Sequence, residues 1–413
     1  MRKRFLPILV ALVVFLLGLA PLVAAGAQAP PDPLSLMPLD VKVGQMLIAG
    51  VTGTTADADA RAMIDDLRVG NVILMGRNID DPKQVLALTQ GLQALAVPAN
   101  GVPLLIATDQ EGGLVQRLNY YSGFTPMPPA ALAGAAHDPA LMRRYGQMVG
   151  AELAAVGVNM DMAPDLDVNT NPTNPVIGAL GRSFGTTAQQ VETSTLPFIA
   201  GLHAAGVIAT GKHFPGHGRT TTDSHEDMPY VTADRAALEA VDLAPFKAAV
   251  ASGIGAIMIA HVLYGALDPH NPATVSSAIQ TGLLREQLGF KGVIVSDDMG
   301  MKGITDLYPP QESGVRAVLA GADMLTCVRM PQPDACSPQM IGPLRAGLLA
   351  AVKSGRIPMS RIDASVRRIL ALKARFHVGP ASGAGLSQIQ SAAHFRIIGA
   401  IYDEVAEQKA KGQ

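Results

Sequence analysis

Residues 211–229 read GKHFPGHGRTTTDSHEDMP and bring His213, His217 and His225 within thirteen positions, beside Lys212, Arg219, Asp223, Glu226 and Asp227. Histidines and carboxylates at this density suit metal ligation or proton transfer. His213 and His217 have the H-x-x-x-H spacing that puts two ligands on one helix face, but Pro215 and Gly216 lie between them, so a helix is not expected there. Acid–base work on a loop, and a polar loop that is simply rich in histidine, both stay open on these residues alone: imidazole titrates near neutral pH and can give or take a proton, but only its place in the fold gives it that task. No metal and no cofactor is expected.

Such residues need a frame that converges them. Eight short apolar runs recur along the chain: MLIAGV (46–51), NVILMG (71–76), PLLIATD (103–109), NMDMAP (159–164), GVIATGKH (206–213), AIMIAHV (256–262), GVIVSD (292–297) and ADMLTC (322–327). They are continuous rather than alternating, as parallel strands covered on both faces are. Stretches with helical spacing lie between them, for example 139–157, 233–253 and 311–321, and many of these end in Gly. Eight strands alternating with helices predict an α/β fold, a (β/α)8 TIM barrel. A doubly wound open sheet is the rival; no G-x-G-x-x-G follows the first strand, which weakens its dinucleotide-binding form. In a barrel the chemistry sits at the C-terminal strand ends. Read in order, these ends carry Arg77 and Asn78; Asp109, Gln110 and Glu111; Asp165 and Asp167; Lys212 and His213; His261; and Asp297 and Asp298. Carboxylates mixed with cations and imidazoles suit a neutral polyhydroxylated ligand better than a phosphate, which favours Gly-rich loops and cations.

Composition narrows the class. The chain has 413 residues, 48% hydrophobic, with 42 Gly, 30 Pro and no Trp. The core is therefore aliphatic. The formal charge is −2, or −5 once Arg2, Lys3 and Arg4 are removed, and no basic block follows, so nucleic acid is not an expected partner. MRKR followed by FLPILVALVVFLLGLAPLVAA reads as a signal peptide over 1–27, cut after Ala27. The run is also long enough to remain as an anchor, and only then is a membrane a partner. Export places the protein in a secreted, periplasmic or cell-envelope setting. Cys327 and Cys336 are then expected to form a bridge, two free thiols being the alternative. Residues 28–38 read as a Pro-rich linker, 39–378 as the catalytic domain and 379–413 as a tail helix.

Several pieces are specific. KHFPGHG with the D-S-H that follows it, SDDMGM, TDQEGGLVQRL, NVILMGRN, MAPDLDVNTNPTNPVIGALGRSFG, IMIAHVLY and GADML occur in one order between about 40 and 375. Together they resemble glycoside hydrolase family 3, in its β-N-acetylglucosaminidase branch. The resemblance implies a retaining exo-enzyme that removes terminal β-linked GlcNAc from peptidoglycan fragments or chitin-like chains. By resemblance Asp297 is the nucleophile, and His225 with Asp223 replaces the glutamic acid usual in the family. Asp109, Arg117, Arg182, Lys212 and His213 would hold the terminal sugar. For Arg117 a structural reading stands beside this one, as a helix-borne arginine that orients Asp109 or Glu111. His217 is expected to support the loop, Asp298 to make structural hydrogen bonds, and His261 to serve either substrate or structure. The rivals are a GlcNAc phosphorylase, a glucosidase or xylosidase of the same family, and a non-catalytic sugar-binding barrel. Many family members carry a second α/β domain, and this sequence shows none.

Overall fold

The computed structural model describes residues 33–328 and 338–411. The chain divides between Leu36 and Met37; before the division the described residues form a single turn, Pro33–Leu36. The expected signal peptide and nearly all of the expected linker lie outside the described residues, as does Cys336. Cys327 is disulfide-bonded. Among the described residues no helix is long and apolar enough to cross a membrane.

Residues from Met37 onward form a closed barrel of eight parallel strands in sequence order: β1 (Leu47–Gly50), β2 (Asn71–Leu74), β3 (Leu105–Thr108), β4 (Met160–Asp161), β5 (Ile208–Phe214), β6 (Ala256–Ile259), β7 (Val293–Asp298) and β8 (Met324–Cys327). β8 pairs back onto β1 with Leu47 opposite Leu325. All eight apolar runs became strands. Nearly every strand residue is buried, because side chains on one face fill the barrel and those on the other meet helices. The regular part of β4 is shorter than its run. Pro164 has no N–H to offer the ladder. The backbone still follows β5, since Lys212 N–H donates to the Pro164 carbonyl (3.2 Å) and Leu166 N–H to that of Lys212 (2.6 Å). This places Asp165 and Asp167 beside Lys212 and His213.

Two of the long helices open on capping carboxylates. Asp138 accepts from the N–H groups of Ala140 and Leu141 to open Pro139–Ala155, and Asp81 does the same for Pro82–Asn100. The tail forms a helix, Ala392–Ala410, that packs on Pro139–Ala155 through Ile398, Ile401 and Val405. One buried carboxylate joins the two. Glu152 accepts from the Thr125 hydroxyl (2.5 Å), from the Gln390 N–H (3.1 Å) and from His394 Nδ1 (2.6 Å).

Candidate active site

Asp109, Arg117, Arg182, Lys212, His213, Asp223, His225 and Asp297 all line one cavity of about 230 Å³ at the C-terminal ends of the strands. Thus the structure brings these eight to one place, from the ends of β3, β5 and β7 and three intervening loops, while His261, Asp165 and Asp167 lie behind the lining.

One wall is an ion network. Lys212 Nζ lies 3.1 Å from Asp109 and 2.6 Å from Glu111. Arg182 grips Glu111 with two parallel bonds of 2.7 and 2.8 Å and also donates to the Val176 carbonyl (3.0 Å). Burial would raise both carboxyls, but Arg182 and Lys212 hold Glu111, and Lys212 and Arg117 hold Asp109, below the ordinary carboxylate range. Arg117 pairs with Asp109 (3.2 Å) and not with Glu111. It is not helix-borne either: it follows a small antiparallel ribbon, Gln110–Gly112 with Val115–Gln116, whose turn aims it back at the strand end. Glu111 is the residue that reading the sequence undervalued. Its place at the end of β3 was visible; that two cations from distant segments would converge on it was not.

The floor is built on Asp167. It accepts from His213 Nδ1 (2.7 Å) and from the backbone N–H groups of His213 (3.2 Å) and His217 (2.6 Å). Burial opposes charge on His213, but Asp167 outweighs it and raises the imidazole above its ordinary pKa. Nε2 of His213 has no partner among the described residues and faces the cavity. His261 lies beneath β7 with both nitrogens engaged, Nε2 with the Asp298 carbonyl (2.9 Å) and Nδ1 with Thr274 (2.5 Å). It therefore serves the frame.

Asp297 and Asp298 are adjacent but differ in state. Burial would raise Asp297, yet the positive charge of His213 beside it outweighs burial and holds it at about 2. Asp298 is pushed up to about 7 by burial, and one oxygen accepts from Gly300 N–H and Val328 N–H, each at 3.0 Å. Asp297 is the ionised carboxylate in the cavity, while Asp298 ties the β7 turn to β8.

The histidine loop has a fixed base and an open tip. Tyr264 OH donates to the Gly216 carbonyl (2.9 Å), Asn174 to the His217 carbonyl (2.8 Å) and Asn171 to that of Thr220 (3.0 Å). Gly216 adopts φ 134°, and a Cβ there would lie 2.8 Å from Asp242 Cβ, so only glycine fits. His217 is neutral, lowered by burial to about 4, and lies within reach of Thr220 (2.8 Å) and Ser224 (3.3 Å). Beyond this base Asp223 accepts from His225 Nδ1 (2.7 Å) and from its backbone N–H (2.8 Å). The His225 side chain is 41% exposed and lines the cavity, so it is open to water. Its Nε2 is the atom left for a substrate.

Asp165, Asp167 and His213 bring ligand atoms within 4.8 Å of one another and are the residues that could hold a metal. His213 is already bonded to Asp167, and Asp165, with Arg182 Nε 3.3 Å away, is still pushed up to about 7 by burial. No step below uses a metal.

Residues 38–372 match the glycosyl hydrolase family 3 N-terminal domain. The chain is 38% identical over 292 residues to a β-hexosaminidase of Alkalilimnicola ehrlichii, covering 69% of this chain and 81% of that one. It is 40% identical over 278 residues to a β-hexosaminidase of Vibrio cholerae, covering 67% and 80%. Among solved structures, a family 3 β-N-acetylglucosaminidase from Paenibacillus sp. superposes with a TM-score of 0.83 at 42% identity, covering 89% of this chain and 69% of that one.

Proposed function

The chain belongs to glycosyl hydrolase family 3, and from that premise we propose that it is a retaining exo-β-N-acetylglucosaminidase that works through Asp297 and the His225–Asp223 pair. The observation that carries the mechanism is the shared cavity: an ionised carboxylate at a strand end, and a water-accessible imidazole whose second nitrogen is held by a carboxylate.

In the first step an Asp297 oxygen attacks the anomeric carbon, and the bond to the leaving oxygen breaks. The proton on His225 Nε2 passes to that oxygen, so the leaving group departs as an alcohol. In the second step His225 Nε2 takes a proton from water. The water oxygen attacks the anomeric carbon and Asp297 leaves as a carboxylate. Two inversions retain configuration. Asp223 supports both steps by keeping Nδ1 protonated, so that Nε2 is the nitrogen that gives and takes.

The ion-paired wall supplies sugar recognition. Asp109 accepts from ring hydroxyls, and Lys212, Arg117 and Arg182 donate. Their mutual pairing holds these side chains before substrate arrives, so binding does not have to order them. The small cavity, about 230 Å³, suits one terminal sugar and hence exo action on GlcNAc-ended fragments of peptidoglycan or chitin-like chains. The segment 1–27 supports action outside the cytoplasm. N-terminal sequencing of the exported protein should find Gln28 first; a start at Met1 would support the anchored form.

The test uses 4-nitrophenyl β-GlcNAc and the corresponding β-glucoside, with and without phosphate, for the intact protein and for Asp297→Asn. Release from the GlcNAc substrate, independent of phosphate and lost by about 10⁴-fold or more in the variant, is expected. GlcNAc-1-phosphate as product would replace hydrolysis by phosphorolysis. An active Asp297→Asn would remove the nucleophile assignment.

A further inference from the structure

The opposite end of the barrel holds a second charged cluster. Asp323 immediately precedes β8 and is fully buried. Its oxygens take Arg285 Nη2, Arg368 Nη1 (3.0 Å) and, more distantly, Arg361 Nη1 (3.6 Å), besides Ser365 Oγ (2.7 Å) and Ile294 N–H (3.0 Å). Three guanidiniums therefore share one carboxylate that has no capacity left. Exposed Lys291, just before β7, has no partner among the described residues. These four cations line a cleft of about 410 Å³ between the Phe290–Lys291 turn and the helix Met359–Arg375.

The cleft carries surplus positive charge. Its four cations face two carboxylates, buried Asp323 and Glu286 in the lining. Burial, with the repulsion of Arg368 and Arg361, pulls Arg285 down to about 10 despite Asp323. Among the described residues the Arg368 guanidinium donates only to Asp323, through Nη1, and its side chain is 34% exposed, so the rest of its fork is available there. A guanidinium fork matches the paired oxygens of a tetrahedral oxyanion, and a flexible ammonium completes such a site. A surplus of two charges favours a dianion over a monoanion.

We propose that this cleft binds a phosphate dianion, free or carried as a phosphoryl group, on Arg368 and Lys291, with Arg285, whose Nη1 donates to the Phe290 and Gly292 carbonyls and Nη2 to Asp323, adding charge rather than a hydrogen bond. It lies at the N-terminal strand ends, the face remote from Asp297, so occupancy is separate from sugar cleavage. Arg367 and Arg375 line an adjoining groove of about 540 Å³ that shares Phe290 and Lys291. That groove extends the positive surface along which a larger phosphorylated ligand would lie.

The test is calorimetric titration of the purified protein with inorganic phosphate at low ionic strength, with GlcNAc present to occupy the sugar cavity, and acetate as the monoanion control. Phosphate should bind, acetate at least about tenfold more weakly, and Lys291→Gln/Arg368→Gln should lose at least about tenfold in phosphate affinity, or ~1.4 kcal/mol, while keeping its circular dichroism spectrum. Lys291→Gln alone, at an exposed position, should lose about threefold and decides the matter if the double variant does not fold. Vesicles containing phosphatidic acid, a phosphomonoester that can carry two charges, distinguish the source. Sedimentation with them, competed by phosphate, identifies a phosphate-bearing surface, and phosphate binding without sedimentation identifies the free ion. Equal affinity in wild type and Lys291→Gln/Arg368→Gln, or equal affinity for acetate and phosphate, would overturn the site.

Discussion

Glu111→Gln isolates the residue on which the sugar-binding wall depends. The carboxylate meets Arg182 through two bonds and Lys212 at 2.6 Å, and the three side chains are 3%, 10% and 3% exposed. Breaking a buried pair costs about 3–5 kcal/mol, because the orphaned charge remains buried. Here Gln retains one acceptor, Lys212 keeps Asp109 at 3.1 Å and Arg182 keeps Asp165 at 3.3 Å, which argues for the low end, about 3 kcal/mol at pH 7. The pH dependence is the sharper test. Glu111 is depressed in the folded state from an ordinary value of 4.5. A depressed carboxyl stabilises fully above its unfolded pKa, and that stability is lost as pH falls toward the folded value. At about pH 3.5 the unfolded side chain is mostly protonated and the folded one is not, so wild type loses ~1.4 kcal/mol through this group and the glutamine variant loses none. Urea unfolding of both proteins at pH 7 and pH 3.5 should show a gap of about 3 kcal/mol that narrows by about half. The same variant should raise KM for the GlcNAc substrate more than it lowers kcat, because Lys212 and Arg182 lose their fixed positions. A gap that stays constant with pH, or no gap at all, would refute the assignment of Glu111 as the ionised centre of the wall.

Two further perturbations address the scaffold. His394→Ala removes a 2.6 Å donor from buried Glu152 and should cost about 2 kcal/mol in urea unfolding. Because Glu152 holds Thr125, whose carbonyl accepts from Gln116 next to Arg117 (2.9 Å), KM should also rise with kcat little changed; an unaltered KM would make the tail helix purely a stabilising element. Gly216→Ala places a Cβ at φ 134° and 2.8 Å from Asp242 Cβ, at an expected cost of about 1–3 kcal/mol and a fall in kcat, as the base of the His225 loop shifts. Wild-type kinetics in that variant would show the loop base to be more compliant than its contacts indicate.

The barrel was legible because its determinants are local. Each strand is a continuous apolar run bounded by turns, too short for a core helix, and eight of them alternate with longer helical patterns. Strand ends were legible for the same reason, so Asp109, Lys212, His213 and Asp297 could be placed at one rim from sequence order. Asp223 and His225 are two residues apart, and their pairing is a local event as well. Pairings between segments distant in sequence were not legible. Arg182 and Glu111 are 71 residues apart, Lys212 and Asp109 are 103, and no spacing rule connects them. The structural alternative to sugar binding by Arg117 put it on a helix with a choice of two carboxylates; the ribbon turn gave it Asp109 and left Glu111 to Arg182 and Lys212. The different states of Asp297 and Asp298, identical in type and adjacent in chain, were decided by tertiary structure alone. One meets the charge of His213, folded in from β5, and the other two backbone N–H groups and a dry wall. Sequence specifies which groups reach the rim; burial and the charges brought in from other strands set what each can do there.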